Sequence, residues 1–123
     1  MNKLVKKVSK EQLIPEFLQA LNGILRLTDR EMQLMTLLIK LDIEYDKSKE
    51  LKNVADADNR KIIMKELHIT KDNLSRYIKA FREKGLLLHG KYDGELHVNE
   101  ALIPMIIGDR LQLTIILKIA KDV

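Results

Sequence analysis

The amino-acid sequence predicts a mainly helical domain that carries a small amount of β structure. Apolar residues recur at helical spacing in four separate segments. An Asp-Gly pair at positions 93 and 94 separates two short apolar runs, as in a β-hairpin. The length of 123 residues suits one hydrophobic core, so we expect residues 1–123 to form a single domain.

The composition excludes several kinds of protein. The chain has no cysteine, which removes disulfides, thiolate metal sites and thiol nucleophiles. With 46% hydrophobic and 33% charged residues, the chain is expected to fold. No apolar run approaches the roughly 18 residues of a membrane span, and no apolar signal-peptide core follows the lysines of residues 1–10. We therefore expect a cytoplasmic protein that does not contact a membrane.

Positive charge is concentrated in one part of the chain. The net charge is only +4. Residues 11–58 carry six basic and ten acidic side chains, whereas residues 59–97 carry nine basic and five acidic ones. The basic region predicts where an anionic partner would bind.

The first helix is predicted from residue 9 to about residue 22. Ser9 is a suitable N-cap, Pro15 marks a late start or a kink, and Gly23 ends the helix. The preceding residues 3–8 form either a short edge strand or a basic arm.

The second helix is predicted to begin at a capping box formed by Thr28 and Glu31. Its apolar residues recur at helical spacing to about Asp42, which is typical of a central core helix. Residues 43–58 are polar and acidic, and we interpret them as a connection with a short element around residues 48–54.

A third, short helix is predicted over residues 59–67, with Asp58 as its cap and Ile62, Ile63 and Leu67 on its inner face. A tight turn at residues 68–69 follows. Thr70 caps the fourth helix, residues 71–84, and Gly85 ends it. The core side of that helix consists of Leu74, Tyr77, Ile78 and Phe81.

The last third of the chain is predicted to contain the β structure. Residues 86–88 open a hairpin that turns at residues 91–94 and closes with residues 95–98. Residues 99–107 stay unassigned. Alternation over residues 111–119 predicts a half-buried C-terminal strand, whose inner face consists of Leu111, Leu113, Ile115, Leu117 and Ile119.

The order helix, tight turn, amphipathic helix, glycine and hairpin is that of a winged helix-turn-helix. In such a unit the second helix enters the major groove of DNA and the hairpin is the wing. The predicted DNA-binding residues of the recognition helix are Lys71, Asn73, Ser75, Arg76, Lys79 and Arg82. Those of the wing are His89, Lys91 and Tyr92.

These side chains suit two tasks. Arg76, Asn73 and Ser75 can read base edges, because arginine pairs with guanine and asparagine with adenine in bidentate fashion. Lys71, Lys79 and Arg82 are better suited to phosphates, which position a protein without reading sequence.

Residues 60–88, from Arg-Lys-Ile-Ile-Met to Lys-Gly-Leu-Leu-Leu, resemble the helix-turn-helix and first wing strand of winged-helix regulators. They are particularly similar to phage and plasmid transcription or replication-control proteins. Leu-Thr-Asp-Arg-Glu, which starts at Leu27, resembles the first helix of such domains. The resemblance covers residues 27–98 and implies DNA binding through the residues named above. The long acidic connection, residues 43–58, departs from the family pattern.

Other interpretations of the same residues stay open. The basic side of the fourth helix can be a solvated face or a protein-docking face. His68, His89 and His97 raise the question of a metal site. A site built on a pair of histidines would need a third strong ligand, and the sequence offers none. The acidic residues between positions 42 and 58 lack the glycine and the later glutamate of a calcium loop, so a solvated loop is expected. Motifs of enzymes are missing, and we expect neither catalysis nor a cofactor.

Two functions follow as hypotheses. The first is a sequence-specific, duplex-DNA-binding regulator of transcription or replication that acts as a homodimer, in the host cytoplasm if it is phage encoded. The flanking segments, residues 1–26 and 99–123, would supply the dimer interface or complete the core. The second is a winged-helix module that docks a phage or host protein in a larger assembly and binds little or no DNA.

Overall fold

The computed structural model describes residues 3–121, which form four α-helices and two short antiparallel β-hairpins. In chain order these elements are α1 (Leu13–Leu25), α2 (Asp29–Ile43), α3 (Ala57–Leu67), α4 (Lys71–Glu83), β1 (Leu87–His89), β2 (Leu96–Val98), β3 (Ile106–Ile107) and β4 (Arg110–Leu111). The prediction of a mainly helical chain with a little β structure is confirmed. None of the helices within these residues is both long and apolar enough to cross a membrane.

Helix α1 begins later than residue 9. Ser9 opens a 3-10 turn over Lys10–Gln12 without a side-chain cap, and α1 follows at Leu13. Pro15 therefore lies in the first turn of α1, where its missing N–H leaves no hydrogen bond unmade. The late start is one of the two outcomes that the proline predicts.

The end of α1 lies beyond Gly23, so the prediction that this glycine ends the helix is wrong. The helix continues to Leu25, and Arg26 adopts the left-handed conformation with φ 56°. The Asn22 side chain accepts a hydrogen bond from the N–H of Leu27 at 2.7 Å and donates one to its carbonyl at 3.0 Å. These two bonds fix the chain reversal after Arg26 rather than at the glycine.

The predicted capping box at the start of α2 is confirmed. The Thr28 hydroxyl accepts a hydrogen bond from the N–H of Glu31 at 3.2 Å, and the Glu31 carboxylate accepts one from the N–H of Thr28 at 2.9 Å. The helix then buries four apolar side chains in the core, Leu34, Met35, Leu38 and Ile39.

Helix α3 is capped by Asp56 and not by the predicted Asp58. The Asp56 carboxylate accepts a hydrogen bond from the N–H of Asn59 at 2.9 Å. The inner face is centred on the buried Ile63, with Met64 and Leu67 partly buried beside it. Ile62 is 41% exposed, so its predicted place on the inner face is wrong.

Helix α4 begins and ends as predicted. The Thr70 hydroxyl accepts a hydrogen bond from the N–H of Asn73 at 3.2 Å, which satisfies one of the free donors of the first turn. Gly85 follows the helix with φ +76°, a conformation that residues with a Cβ rarely adopt.

Strands β1 and β2 pair antiparallel, with Leu87 opposite Val98 and His89 opposite Leu96. Gly94 adopts φ +85° in the turn between them. The edge of β2 is extended by the connection after α2, because Asn53 forms a parallel bridge with Leu96. Of the short element predicted around residues 48–54, the structure shows only this single bridge.

The core is one cluster to which all four helices and the first hairpin contribute. Its fully buried large side chains are Phe81, Leu18, Leu34, Met35, Leu38, Ile39, Ile63, Leu74, Leu87, Val54 and Val98. Helix α4 and the first hairpin are thus supported by the same core as α1 and α2.

The predicted half-buried strand over residues 111–119 is wrong. Only Leu111 belongs to a strand, in the hairpin of β3 and β4, and residues 112–120 have no regular secondary structure. Leu117 and Ile119 are 84% and 95% exposed. The alternation defines an apolar face, but nothing in the described part of the chain covers that face. Residues 3–8 likewise form no strand and are exposed.

Candidate nucleic-acid interface

One face of α4 is buried in the core, which leaves the opposite face toward solvent. Leu74 and Phe81 are fully buried and Ile78 is nearly so. Leu67 and Ile69, from the end of α3 and the following turn, are partly buried and pack against the same cluster. This packing holds α4 as a rigid element with one free side.

Two polar contacts hold α4 at its flanks. The ammonium of Lys84, the residue that follows α4, lies 3.3 Å from the carboxylate of Glu31 in α2. Near the other end, the guanidinium of Arg60 in α3 donates a hydrogen bond to the Ser75 hydroxyl at 3.3 Å. A second nitrogen of Arg60 donates to the Ala55 carbonyl at 2.8 Å. Helix α4 and the residue that follows it are therefore tied to both α2 and α3.

All the predicted recognition-helix residues are exposed, namely Lys71, Asn73, Ser75, Arg76, Lys79 and Arg82. They do not form one surface, however. With about 3.6 residues per helical turn, Ser75 and Arg82 lie on the side toward α3, as the Arg60 contact shows. Asn73 and Arg76 line a shallow groove beside Glu31.

Two acidic residues share the outward side of α4 with Arg76 and Lys79. Helical geometry places Asp72 and Glu83 opposite the buried Leu74, and both are exposed. The exposed residues of α4 therefore carry four positive and two negative charges. The charge tally over residues 59–97 did not reveal that these acids lie among the bases.

Arg60 is a candidate contact residue that the sequence analysis missed. Its guanidinium is half-buried and lies beside Ser75 on the exposed flank of α4. Sequence patterns mark Arg60 only as a polar position in the first turn of α3. The signal that identifies it is spatial, because its partner lies fifteen residues away.

The predicted wing residues His89, Lys91 and Tyr92 are all exposed. The Lys91 ammonium lies 5.6 Å from the centre of the Tyr92 ring, a cation–π distance. Both residues are in the turn between β1 and β2, whereas His89 is the last residue of β1. The turn therefore presents one ammonium group, one aromatic ring and the carboxylate of Asp93 to solvent.

The histidines do not form a metal site. His89 pairs with Leu96 and His97 with Leu88, so the two histidines lie on opposite faces of the hairpin. Within residues 3–121 no group of three or more His, Cys, Asp or Glu side chains is arranged to hold a metal ion.

The start of the hairpin of β1 and β2 is held by Asp42, near the end of α2. Its buried carboxylate accepts hydrogen bonds from the Lys52 ammonium at 2.7 Å and from the N–H of Val98 at 2.8 Å. The acidic residues from position 42 to position 58 were expected in a solvated loop. This expectation is wrong for Asp42, whose carboxylate joins α2, the connection and β2.

The carboxylate of Asp56 also accepts several hydrogen bonds, and these hold part of the acidic connection in place. Its carboxylate accepts hydrogen bonds from the Tyr45 hydroxyl at 2.9 Å and from the Lys49 ammonium at 3.1 Å. Burial raises the pKa of the Asp56 carboxyl, but the hydrogen bonds from the Asn59 N–H, Tyr45 and Lys49 outweigh burial and lower the pKa overall. The carboxylate is thus held in its charged form.

The pKa of the Glu31 carboxyl, next to α4, is lowered as well. The hydrogen bond from the Thr28 N–H lowers the pKa of the Glu31 carboxyl, and the Lys84 ammonium lowers it further against a smaller opposing effect of burial. Glu31 is therefore charged near neutral pH and forms the negative rim of the groove that Asn73 and Arg76 line.

Comparison of the chain with protein families, with curated proteins and with solved structures finds no match.

Proposed function

We propose that the protein binds duplex DNA through α4 and the hairpin of β1 and β2, and that it regulates transcription or replication. The observation that carries the proposal is the position of α4. One face of this helix is locked in the core by Leu74, Ile78 and Phe81. Its other face is free and rich in Arg, Lys, Asn and Ser, the side chains that contact phosphates and base edges.

The elements around α4 support the same proposal. The turn between α3 and α4 is short, with His68 in the left-handed conformation. The antiparallel hairpin follows α4 after three residues, Lys84, Gly85 and Leu86. A bridge at Asn53 places the connection beside β2. This order of helices and strands is the one expected of a winged helix-turn-helix, in which a hairpin contacts DNA next to the recognition helix.

The residues divide by task under this proposal. Arg76 and Asn73 are the candidates for base reading, since bidentate contacts to guanine and adenine give specificity. Lys71, Lys79 and Arg82 are the candidates for phosphate contacts. Ser75 already accepts a hydrogen bond from Arg60, so its role is to position that guanidinium rather than to read a base.

The test is fluorescence anisotropy with a labelled pool of random-sequence duplexes, measured over a series of salt concentrations. Wild-type binding is expected to weaken steeply as salt rises, because each phosphate contact releases counterions. The variant Arg76→Ala/Lys79→Ala is expected to lose most of this binding. Selection of the tightest duplexes from the pool then identifies the site that Arg76 and Asn73 read.

The matched control removes two positive charges elsewhere. Lys40→Ala/Lys47→Ala changes the net charge by the same amount, and both lysines are exposed outside α4, the wing and the C-terminal segment. This control is expected to bind DNA as the wild type does. Equal losses in the two double variants would show that only the overall charge matters, which contradicts a recognition role for α4.

One observation favours a second candidate function. Asp72 and Glu83 lie on the outward side of α4, where they would face the phosphates of bound DNA unfavourably. A protein partner whose basic residues contact Asp72 and Glu83 and whose acidic residues contact the neighbouring bases also suits this mixed surface. Absence of DNA binding even at low salt would decide for protein docking, and Asp72→Asn/Glu83→Gln separates the two, because it strengthens DNA binding and weakens docking of a basic partner.

A further inference from the structure

The C-terminal segment, residues 111–119, exposes several large apolar side chains to solvent. Ile115, Ile116, Leu117 and Ile119 are between 45% and 95% exposed. The preceding hairpin exposes Ile106 and Ile107 as well. Contiguous apolar surface of this kind marks an interaction site, and its β-branched residues favour a strand. We propose that this segment pairs antiparallel with the same segment of a second copy of the chain.

The segment alternates as a strand does but lacks a partner strand. Every second residue from Leu111 to Ile119 is Leu or Ile. Yet only Arg110 and Leu111 are paired, with Ile107 and Ile106. A hairpin with two residues in each strand is marginal by itself. An additional strand against the free edge of β4 would pair the remaining N–H and C=O groups.

The alternation is symmetric about Ile115, so a second copy of the same segment is a matched antiparallel partner for it. In an antiparallel pair with its two-fold axis at Ile115, Leu111 faces Ile119 of the partner subunit and Leu113 faces Leu117 of the partner subunit. Ile115 faces Ile115 of the partner subunit. All nine residues pair, and one side of the ribbon is entirely apolar.

The charged residues in and beside the segment are compatible with this register. Lys118 faces Gln112 of the partner subunit, and Arg110 faces Ala120 of the partner subunit, so like charges are not opposed. An axis at Leu113 would instead set Leu117 against Asp109 of the partner subunit. An axis at Leu117 would set Leu113 against Lys121 of the partner subunit. Both alternatives interrupt the apolar face with a charge.

The exposed apolar area suits a weak, concentration-dependent pair. Full burial of a Leu or Ile side chain removes roughly 100 Å² from water. The exposed apolar side chains are Met105, Ile106, Ile107, Leu113, Ile115, Ile116, Leu117 and Ile119. Their exposed fractions run from 37% to 95%, so they offer roughly 500 Å² on each subunit, which is less than the about 800 Å² per partner of a standard interface.

The experiment is sedimentation equilibrium of the full chain without DNA, so its outcome is independent of the proposed DNA binding. The wild type is expected to be a dimer. Ile115→Lys is expected to be a monomer, because the two-fold axis brings the two new ammonium groups together. Thr114→Lys adds the same charge on the other side of the strand and is expected to remain a dimer. Circular dichroism should show the same helical content in all three, since residue 115 lies outside the core.

A charge-pair rescue tests the register directly. Ile115→Lys and Ile115→Glu are each expected to be monomers when alone and to form a heterodimer when mixed, because only symmetric pairing brings residue 115 against itself. A wild-type chain that stays monomeric at about 100 µM overturns the proposal. A dimer that Ile115→Lys leaves intact, or a mixture that fails to pair, also overturns it.

Discussion

The carboxylate of Glu31 accepts a hydrogen bond from the ammonium of Lys84, with 3.3 Å between the two atoms. Glu31 lies in the first turn of α2 and Lys84 directly follows α4, so one ion pair joins the capping box of a core helix to the end of the proposed recognition helix. The side chain of Glu31 therefore does two things at once, because its other oxygen completes the box with Thr28.

The two roles of Glu31 are separable by substitution. Glu31→Gln keeps an acceptor for the Thr28 N–H and removes the ion pair, which should lower the free energy of unfolding by about 0.5 kcal/mol. Glu31→Ala removes both and should cost about 1 kcal/mol more. Urea denaturation measures these differences. In the Glu31→Gln background Lys84→Met should cost nothing further, and an undiminished cost there would show that Glu31 is not the partner of Lys84.

Stability should fall in acid because the pKa values of Glu31 and Asp56 are lowered in the folded protein. The unfolded chain has ordinary values near 4.5 for Glu and 3.8 for Asp. Below these values the unfolded chain binds more protons than the folded chain. The contribution of both groups is therefore complete above the ordinary values and is lost as the pH falls through the lowered ones.

The measurement that checks this is the urea midpoint as a function of pH. Glu31→Gln/Asp56→Asn removes both titrating groups, while asparagine at position 56 still serves as a helix cap. Its midpoint should fall less steeply than that of the wild type from about pH 5 to pH 3. Parallel curves for variant and wild type would assign the acid sensitivity to other carboxylates.

Asp42 should be the most sensitive polar position near the hairpin of β1 and β2. Asp42→Ala leaves the Val98 N–H without its acceptor and removes the carboxylate that binds the Lys52 ammonium. We expect a loss of about 3 kcal/mol in the free energy of unfolding, since both bonds involve a buried charge. Lys52→Met removes only the half-exposed partner and should cost about 1 kcal/mol or less. A larger effect of Lys52→Met than of Asp42→Ala would contradict this assignment.

Local signals in the sequence predicted the four helices but only some of their ends. The capping box at Thr28, the cap at Thr70 and the glycine at position 85 act within three or four residues of the chain, and all three are confirmed. The contact between Asp42 and Val98 spans 56 residues and leaves no local pattern. For the same reason the strand expected at residues 111–119 was wrong, because alternation defines a face but cannot supply the neighbour that the face needs.

For the candidate site, too, the sequence predicted local features but not long-range contacts. Helical periodicity separated the buried from the exposed residues of α4 correctly, since that depends only on spacing. It did not reveal that Arg60 reaches Ser75 from another helix, or that Glu31 lines the groove beside Arg76. Such neighbours come from the packing of α2, α3 and α4, and they change which side chains are free to touch a ligand.

Substitution of Arg60 tests whether the packing of α3 against α4 contributes to the proposed DNA binding. Its guanidinium lies on the flank of α4 with the Ser75 hydroxyl as a hydrogen-bond acceptor, so we expect it to contact a phosphate. Arg60→Ala should weaken binding to every duplex by a similar factor and reduce the slope of log K against log[salt] by about 0.9. Asn73→Ala should leave the slope nearly unchanged and alter the preferred sequence instead, because base contacts release few counterions. Lys40→Ala, on an exposed part of α2, serves as the control. An unchanged slope in Arg60→Ala would place Arg60 outside the DNA contact surface and restrict that surface to α4 and the wing.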